Sequence, residues 1–372
     1  MFKDKESLNE KQLIQEFFSD VGSAFLVDRG IILGVGDDSA VVEPANQEFS
    51  ILSSDTSISD IHFFNDMNAS DIAYRSVAIS LSDILACGAE PSWFMLSITL
   101  DSPSREWLSD FKSGLKDISS EFKIPLIGGD VTKGSLSITV QAGGYSRNRR
   151  IISRSGAQEE DLIFVTGKIG ESYASLQQYS KGERGSSCIA YTRPQLRTGV
   201  ALKLNGLVNS AIDISDGLFQ DLQEICTMSN KGAKVNLEKV PHPFGKSFDY
   251  SLLNKGDDYE ICFTSPIDNR KEILEISKEE GVKITEIGKI NNSNELYIDI
   301  DSTFIDSTIF TAVMYTTNEL YQGNGGNILF LQFSNLGTNG DSTLINYNEI
   351  RINGRAMKEQ NYTSQGIYFG DC

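Results

Sequence analysis

Five stretches of this chain run from β-forming residues into small ones and then into aspartate. They are "GVGDDS" (Asp37, Asp38), "SSDTS" (Asp55), "LIGGDVT" (Asp130), "IDISDG" (Asp213, Asp216) and "KGDDYE" (Asp257, Asp258). Apolar runs that end in Gly, Ser and Asp read as a strand entering a turn. One such turn alone is a surface loop. A set of them implies carboxylates carried at many strand ends, and a fold that gathers them must supply positive charge.

Between these turns lie helical patterns. Residues 8–20 place Leu8, Leu13, Ile14, Phe17 and Phe18 near helical spacing. "SDIAYRSVAISLSDILACGA" predicts a long helix, with Ser70 as its cap and Gly88 as its end. "SREWLSDFKSGLKDISSEF" predicts an amphipathic one. "PSWFMLSITL" reads as a strand, and "KIPLIGGDVTKGSLSITVQAGGY" as a strand, a Gly-Gly-Asp turn and a strand. Alternating strands and helices place the chain in the α/β or α+β class.

Near residue 150 the pattern restarts, with strands expected in "DLIFVTG", "NSAIDIS", "YEICFT", "GVKITEIGKI" and "ELYIDI". The chain's 372 residues are too many for one ordinary core. The expected division is an N-terminal domain over 1–149, a C-terminal α/β domain over 150–303 and a tail over 304–372. The basic residues Arg147, Arg149, Arg150 and Arg154 mark the joint. The tail turns rich in asparagine and glycine and carries short strand-like runs, "NILFLQF" and "STLINYNEIRI". It has no assigned role and reads as an appendage to the rest.

Net charge of −18 and a pI near 4.6 argue against a nucleic-acid partner, because phosphate binding needs a basic surface. Metal cations can still bridge an acidic chain to phosphates. The cysteines Cys87, Cys188, Cys226, Cys262 and Cys372 are scattered and form no CxxC pair. They read as reduced thiols of a cytoplasmic protein. The N-terminus is polar, and no apolar run reaches membrane-spanning length, so neither a signal peptide nor a membrane partner is expected. Only two histidines are present, His62 and His242, which disfavours histidine-based metal sites.

Asp83 differs from the turn aspartates. It lies inside the long helix among Ala78, Ile79, Leu81, Ile84 and Leu85. It is either a hydrogen-bonded helix carboxylate or a ligand. Oxygen donors without thiolates suit hard cations such as Mg²⁺, which take one or two carboxylates plus water and phosphate oxygens. Gly34, Gly36, Gly128 and Gly129 let backbone approach phosphate closely. "GKIGES" is either an anion site at a helix N-terminus or a plain strand-to-helix turn. The chain has no P-loop sequence and no dinucleotide fingerprint after its first strand. Asp37 and Asp258 are left open as the second members of doublets, and Asp60 and Asp71 are taken as solvated.

The ordered set GVGDDSAVV, SSDTSISDIHF, DIAYRSVAISLSDILACGAEP, LIGGDVTKGSLSITVQAGGY, RSGAQEEDLIFVTG, AIDISDGLFQDL and GDDYEICFT resembles the thiamine-monophosphate kinase family. The resemblance covers about residues 10–300. That family groups with aminoimidazole-ribonucleotide synthetase, selenophosphate synthetase and a hydrogenase-maturation protein. The resemblance implies two α/β halves, a homodimer formed through the N-terminal sheet, and ATP in a cleft. It also implies ATP-dependent phosphorylation of thiamine monophosphate to thiamine diphosphate. By the same resemblance Asp38, Asp55, Asp83, Asp130, Asp213 and Asp216 hold magnesium ions, and Ser53 and Ser54 add oxygen ligands. Gly129, Asp130, Arg154 and Ser215 match ATP contacts, and His62 matches a substrate contact. Asp257 stands where the family has glutamate against the substrate, within Lys255-Gly256-Asp257-Asp258 rather than a Gly-Gly-Glu-Asp motif. The family's substrate-stacking aromatic near the C-terminus has no matching segment after residue 303.

A carboxylate-held metal site acting on a phosphate acceptor needs no strong base, and none stands out in the sequence. Three other readings stay open. They are another ATP-dependent member of the same superfamily, a non-catalytic nucleotide and metal binder, and a separate binding or structural role for residues 320–372.

Overall fold

The elements, in chain order, begin with α1 (Glu10–Phe17), β1 (Ile31–Leu33), β2 (Val41–Val42), β3 (Ser50–Ile58), α2 (Ala69–Ala86), β4 (Ala89–Leu100), α3 (Arg105–Phe122), β5 (Leu126–Lys133) and β6 (Ser137–Ser146). They continue with β7 (Leu162–Thr166), α4 (Glu171–Ser180), α5 (Ile189–Thr192), α6 (Thr198–Leu204), β8 (Ser210–Asp213), α7 (Leu218–Ser229), β9 (Gly232–Asn236), β10 (Ile261–Ser265), α8 (Arg270–Glu279), β11 (Ile284–Asn291) and β12 (Leu296–Asp299). The tail adds β13 (Phe330–Gln332), β14 (Arg351–Ile352) and β15 (Arg355–Ala356). This computed structural model describes residues 10–35, 40–43, 49–146, 149–245 and 250–299, together with the three tail strands. Asp37 and Asp38 lie outside the described residues.

The first sheet has four strands in the order β3-β6-β4-β5. β4 and β5 run parallel and the other pairs antiparallel. Side chains alternate across it. Ile138, Val140 and Ala142 of β6 and Ile98 of β4 are buried in the core shared with α2 and α3. Thr56, Ser97 and Gln141 sit exposed on the opposite, open face. Helix α2 has no glycine or proline to interrupt it, and fourteen of its eighteen residues are buried. A helix covered on nearly every side must lie between layers rather than on a surface. Its cap lies two residues earlier than expected, at Asn68, and the Ser70 N–H instead donates to Asp110 of α3 at 2.9 Å. The two helices touch so closely that a Cβ on Gly114 would fall 1.9 Å from the Ser70 carbonyl oxygen.

The second sheet has seven strands in the order β13-β12-β9-β11-β7-β10-β8. β7 reads LIFVT and is buried at every position, as expected for a strand covered on both faces. Ile163 and Val165 join the α7 side, where Leu218, Phe219, Leu222 and Ile225 pack. Leu162 and Phe164 join α6 and α8 through Val200, Leu204, Ile273 and Ile276. The tail segment β13 pairs in parallel with β12 at this sheet's edge.

The two halves interlock. Leu85 of α2 packs in the second sheet's core, while Tyr179, Cys188 and Tyr191 pack in the first core. Among the described residues no helix is long and apolar enough to cross a membrane.

Two expected turns are strands. Asp55 lies inside β3, and Gly128-Gly129-Asp130 lie inside β5. Their Ser, Gly and Asp composition signals turns locally, but nine β3–β6 residue pairs and the β4–β5 ladder override it. Gly129 is needed there, because a Cβ would sit 1.8 Å from the Leu96 carbonyl oxygen of the adjacent strand.

Candidate active site

The C-terminal half of α2 reaches both sheets. Ser80 donates to Asp55 Oδ2 on β3 at 2.8 Å. Asp83 Oδ2 accepts from Ser53, also on β3, at 2.5 Å. Ser82 donates to Asp213 Oδ2 at the end of β8 at 2.7 Å. One helix thereby gathers three carboxylates that are far apart in sequence. Asp83 is a hydrogen-bonded helix carboxylate, one of the two readings open for it, and it lies beside Asp55 and Asp213.

The cluster is short of positive charge. Burial pushes the Asp213 carboxyl up to about 7, and the nearby Asp83 adds to the rise. Burial also raises Asp83; the Ser53 hydrogen bond opposes this rise, and repulsion from Asp55 outruns the help from Arg154. Cys87 is raised by burial and then by Asp83. The serine hydroxyls supply hydrogen bonds but no charge. Arg154 opposes the rise at Asp83, Asp213 and Cys87, yet it is exposed, where its charge is screened.

The remaining sequence-assigned residues divide. Ser54 follows Ser53 on β3 and so faces the open side of the sheet, away from Asp83. Asp130 pairs with Ser97, which pairs with Thr139 and then Thr56 across the sheet. It is therefore exposed on the open face, three strand spacings or about 14 Å from β3, and this chain does not bring it to Asp55 and Asp83. Gly129 is exposed beside it. Asp216 is exposed and accepts from Gln220 at 3.0 Å, while the Ser215 carbonyl accepts from the Asp257 N–H at 2.8 Å. His62 is exposed, and its Nδ1 accepts from the Ile58 N–H at 3.0 Å, so the neutral ring carries its proton on Nε2. Asp38 lies outside the described residues.

The Asp257–Asp258 doublet splits. Asp258 turns inward and accepts from the Gly170 N–H at 2.6 Å and the Ser172 N–H at 3.0 Å. It caps α4, so the GKIGES turn already has its anion. Burial pushes this carboxyl up to about 7 even against those two bonds. Asp257 turns the other way. Its Oδ2 pairs with Arg75 of α2 at 2.8 Å, and its Oδ1 accepts from the Tyr259 hydroxyl at 2.8 Å. Asp71, expected in solvent, pairs with Arg193 at 2.5 Å.

Sequence reading missed Arg75, Tyr259 and the serines at 80 and 82. A signal existed for the first. Arginine in the middle of "IAYRSVAI" is a charge on an apolar helix, and such a charge needs a partner. The partner's identity was not local.

Magnesium fits this site in donor chemistry. Asp55, Asp83, Asp213 and the Ser53 hydroxyl offer hard oxygens to an uncompensated negative charge. Among the described residues no three His, Cys, Asp or Glu side chains form a ready-made metal cage.

Known proteins resemble this chain over both of its halves. Residues 36–145 match the N-terminal domain of AIR synthase related proteins, and residues 158–301 match the C-terminal domain of the same family. The thiamine-monophosphate kinase of Buchnera aphidicola subsp. Schizaphis graminum is 35% identical over 303 residues, 77% of this chain and 92% of that protein. The crystal structure of thiamine-monophosphate kinase from Stenotrophomonas maltophilia K279a superposes with a TM-score of 0.69 at 30% identity, over 76% of this chain and 96% of that one. AaThiL, solved complexed with AMPPCP and TMP, gives a TM-score of 0.61 at 25% identity, over 71% and 87%. The chain belongs to the thiamine-monophosphate kinase family.

Proposed function

We propose that this protein transfers the γ-phosphoryl group of ATP to the phosphate of thiamine monophosphate, yielding thiamine diphosphate and ADP. The observation that carries this reading is the gathering of Asp55, Asp83 and Asp213 by one helix between the two sheets. AaThiL, a structural relative, was captured with AMPPCP and TMP.

In-line transfer spreads charge over the moving phosphoryl oxygens, so positioning and neutralisation do most of the catalytic work. The acceptor is a phosphate monoester, already ionised near neutral pH, so no side chain must remove a proton. His62 fits this, being placed to donate from Nε2 rather than to act as a strong base. Asp55, Asp83 and Asp213, with Ser53, would hold magnesium, and Asp38, Asp130 and Asp216 are proposed as further ligands. Bound magnesium supplies the charge neutralisation that phosphoryl transfer requires. Arg154 adds a fixed positive charge, and Gly129, Asp130 and Ser215 are proposed ATP contacts.

The open face of the first sheet, where Leu52 is 68% exposed, supports a homodimer formed through that sheet. Asp130 lies on the same face. Residues 1–149 would then bind ATP and magnesium and dimerise, residues 150–303 would complete the cleft, and the site of action would be the cytoplasm.

The test is direct. The full chain is incubated with ATP, Mg²⁺ and thiamine monophosphate, and thiamine diphosphate is separated and quantified. Product formation that disappears in Asp83→Asn supports the proposal. ATP binding without product in the wild type refutes it in favour of a non-catalytic binder.

A further inference from the structure

Asp221 is a buried carboxyl group with no part in the phosphoryl-transfer scheme above. It sits in the first turn of α7 and is 3% exposed. Among the described residues no arginine, lysine or histidine pairs with it. A buried carboxyl without a cation is costly unless hydrogen bonds replace its water. Here the backbone supplies them. Asp221 Oδ2 accepts from the Asp216 N–H at 3.1 Å and from the Gly217 N–H at 3.0 Å. The Ser215 N–H faces the same carboxyl. Three successive amides converge on one side chain, an arrangement that elsewhere cradles phosphate.

The rest of this turn is committed as well. The Ile214 N–H donates to the Glu260 carbonyl at 2.7 Å. The Ile214 and Ser215 carbonyls accept from the Tyr259 and Asp257 N–H groups at 2.9 and 2.8 Å. Further along, Asn254 Oδ1 accepts from the Phe219 N–H at 3.0 Å and the Gln220 N–H at 3.2 Å. Every N–H from Ile214 to Gly217 therefore has a partner inside the protein. The turn can meet a ligand only through side chains. Within it, Ile214 and Gly217 are buried, Ser215 is half-buried and Asp216 is exposed.

We propose that Asp221 is a positioning residue: its carboxyl fills the amide nest after β8 and so presents the Ser215 hydroxyl and the Asp216 carboxylate to nucleotide and magnesium. This rests on the phosphoryl-transfer reading above, in which Ser215 and Asp216 meet ATP and metal. A carboxyl suits the task because both of its oxygens accept hydrogen bonds. An amide in its place offers one oxygen to three donors and turns its own N–H groups toward one of them. The turn must then tilt, and the two side chains it carries tilt with it.

Calorimetric titration of the full chain with Mg²⁺ and the non-hydrolysable nucleotide AMPPCP tests this without turnover. Steady-state kinetics run beside it, in wild type, Asp221→Asn and Asp221→Ala. Asp221→Asn preserves shape. It should raise the Kd for Mg²⁺–AMPPCP and the KM for ATP about tenfold, the low end of the loss for groups that orient metal ligands. The KM for thiamine monophosphate should stay nearly unchanged. Asp221→Ala should weaken Mg²⁺–AMPPCP further. If folded Asp221→Asn binds Mg²⁺–AMPPCP as tightly as wild type, and only the melting temperature falls, the positioning role is overturned and the activity stands. A rise of the same size in the KM for thiamine monophosphate also overturns it. If wild type binds Mg²⁺–AMPPCP but makes no thiamine diphosphate, the phosphoryl-transfer reading fails, and the binding constants still decide the role of Asp221. If wild type binds no nucleotide, both fall.

Discussion

The two ends of α2 meet carboxylates in opposite ways. Toward its C-terminus, Ser80, Ser82 and Asp83 assemble with Asp55 and Asp213, and the charge stays uncompensated. Toward its N-terminus, Arg75 meets Asp257 and Asp71 meets Arg193, and the charges cancel. The same helix builds one region that is electrostatically incomplete and another that is complete. The first has what a cation-dependent site needs, and the second has what a rigid frame needs. The way to separate these roles is to remove carboxylates from each region and compare the sign of the stability change.

The largest effect is expected in the incomplete region. Asp83→Asn or Asp213→Asn should lower kcat at least about 100-fold, since even groups supporting metal ligands cost tenfold to 100-fold. The melting temperature should hold or rise, because a buried repulsion is relieved. Added Mg²⁺ should stabilise wild type against heat, and chelation should reverse this. Neither variant should respond as strongly. A variant that loses activity only because it unfolds would break the comparison.

In the complete region the sign should reverse. Asp257→Ala leaves Arg75 buried without its counter-charge and should destabilise by about 2 kcal/mol, below the usual cost of breaking a buried pair because Asp257 is partly exposed. Urea unfolding measures this. The double variant Asp257→Ala with Arg75→Met should recover part of the loss. If it does not, the pair is not what Asp257 contributes to stability.

Asp258 sharpens the contrast through pH. Its folded carboxyl sits at about 7 against an ordinary 3.8, with burial as the first cause. The folded state therefore holds this proton more tightly than the unfolded state. Stability is fully present below about pH 4 and is lost as pH rises to about 7, at up to about 1.4 kcal/mol per pH unit for one group. Asp213 and Asp221 are also pushed up to about 7 and titrate in the same window. The difference between wild type and Asp258→Asn isolates Asp258, and unfolding free energies measured from pH 4 to 8 should show a flatter curve for the variant. A steeper one would mean that the α4 N-terminus favours the ionised form.

The smallest effect should come from Ser82→Ala, which removes one hydrogen bond to Asp213. A loss near 1 kcal/mol is expected by denaturant titration, with a several-fold fall in kcat. An unchanged kcat would place Asp213 outside the reacting region.

Much of this was legible in the order of residues. The short continuous run of β-formers in "LIFVT" and the uninterrupted apolar face of "IAYRSVAISLSDILA" mark a strand and a helix, because both signals follow from backbone sterics over a few residues. Asp55, Asp83 and Asp213 could be named as a set from their types and their setting. The turns assigned to Asp55 and Asp130 were wrong for a physical reason. Serine, glycine and aspartate favour turns in isolation, and only the ladders with β6 and β4 hold them extended. The split between Ser53 and Ser54, and the exile of Asp130 to the open face, follow from strand register, which no local window contains.

Local steric preference thus settled which segments are strands and helices, and residue chemistry settled that the protein concentrates carboxylates. Which carboxylate finds a cation was settled through space. Asp257 and Asp258 are neighbours of identical type, yet one meets an arginine 182 positions earlier in the chain and the other caps a helix. The energy of a charge depends on burial and on distance to other charges, and both quantities exist only once the chain has folded.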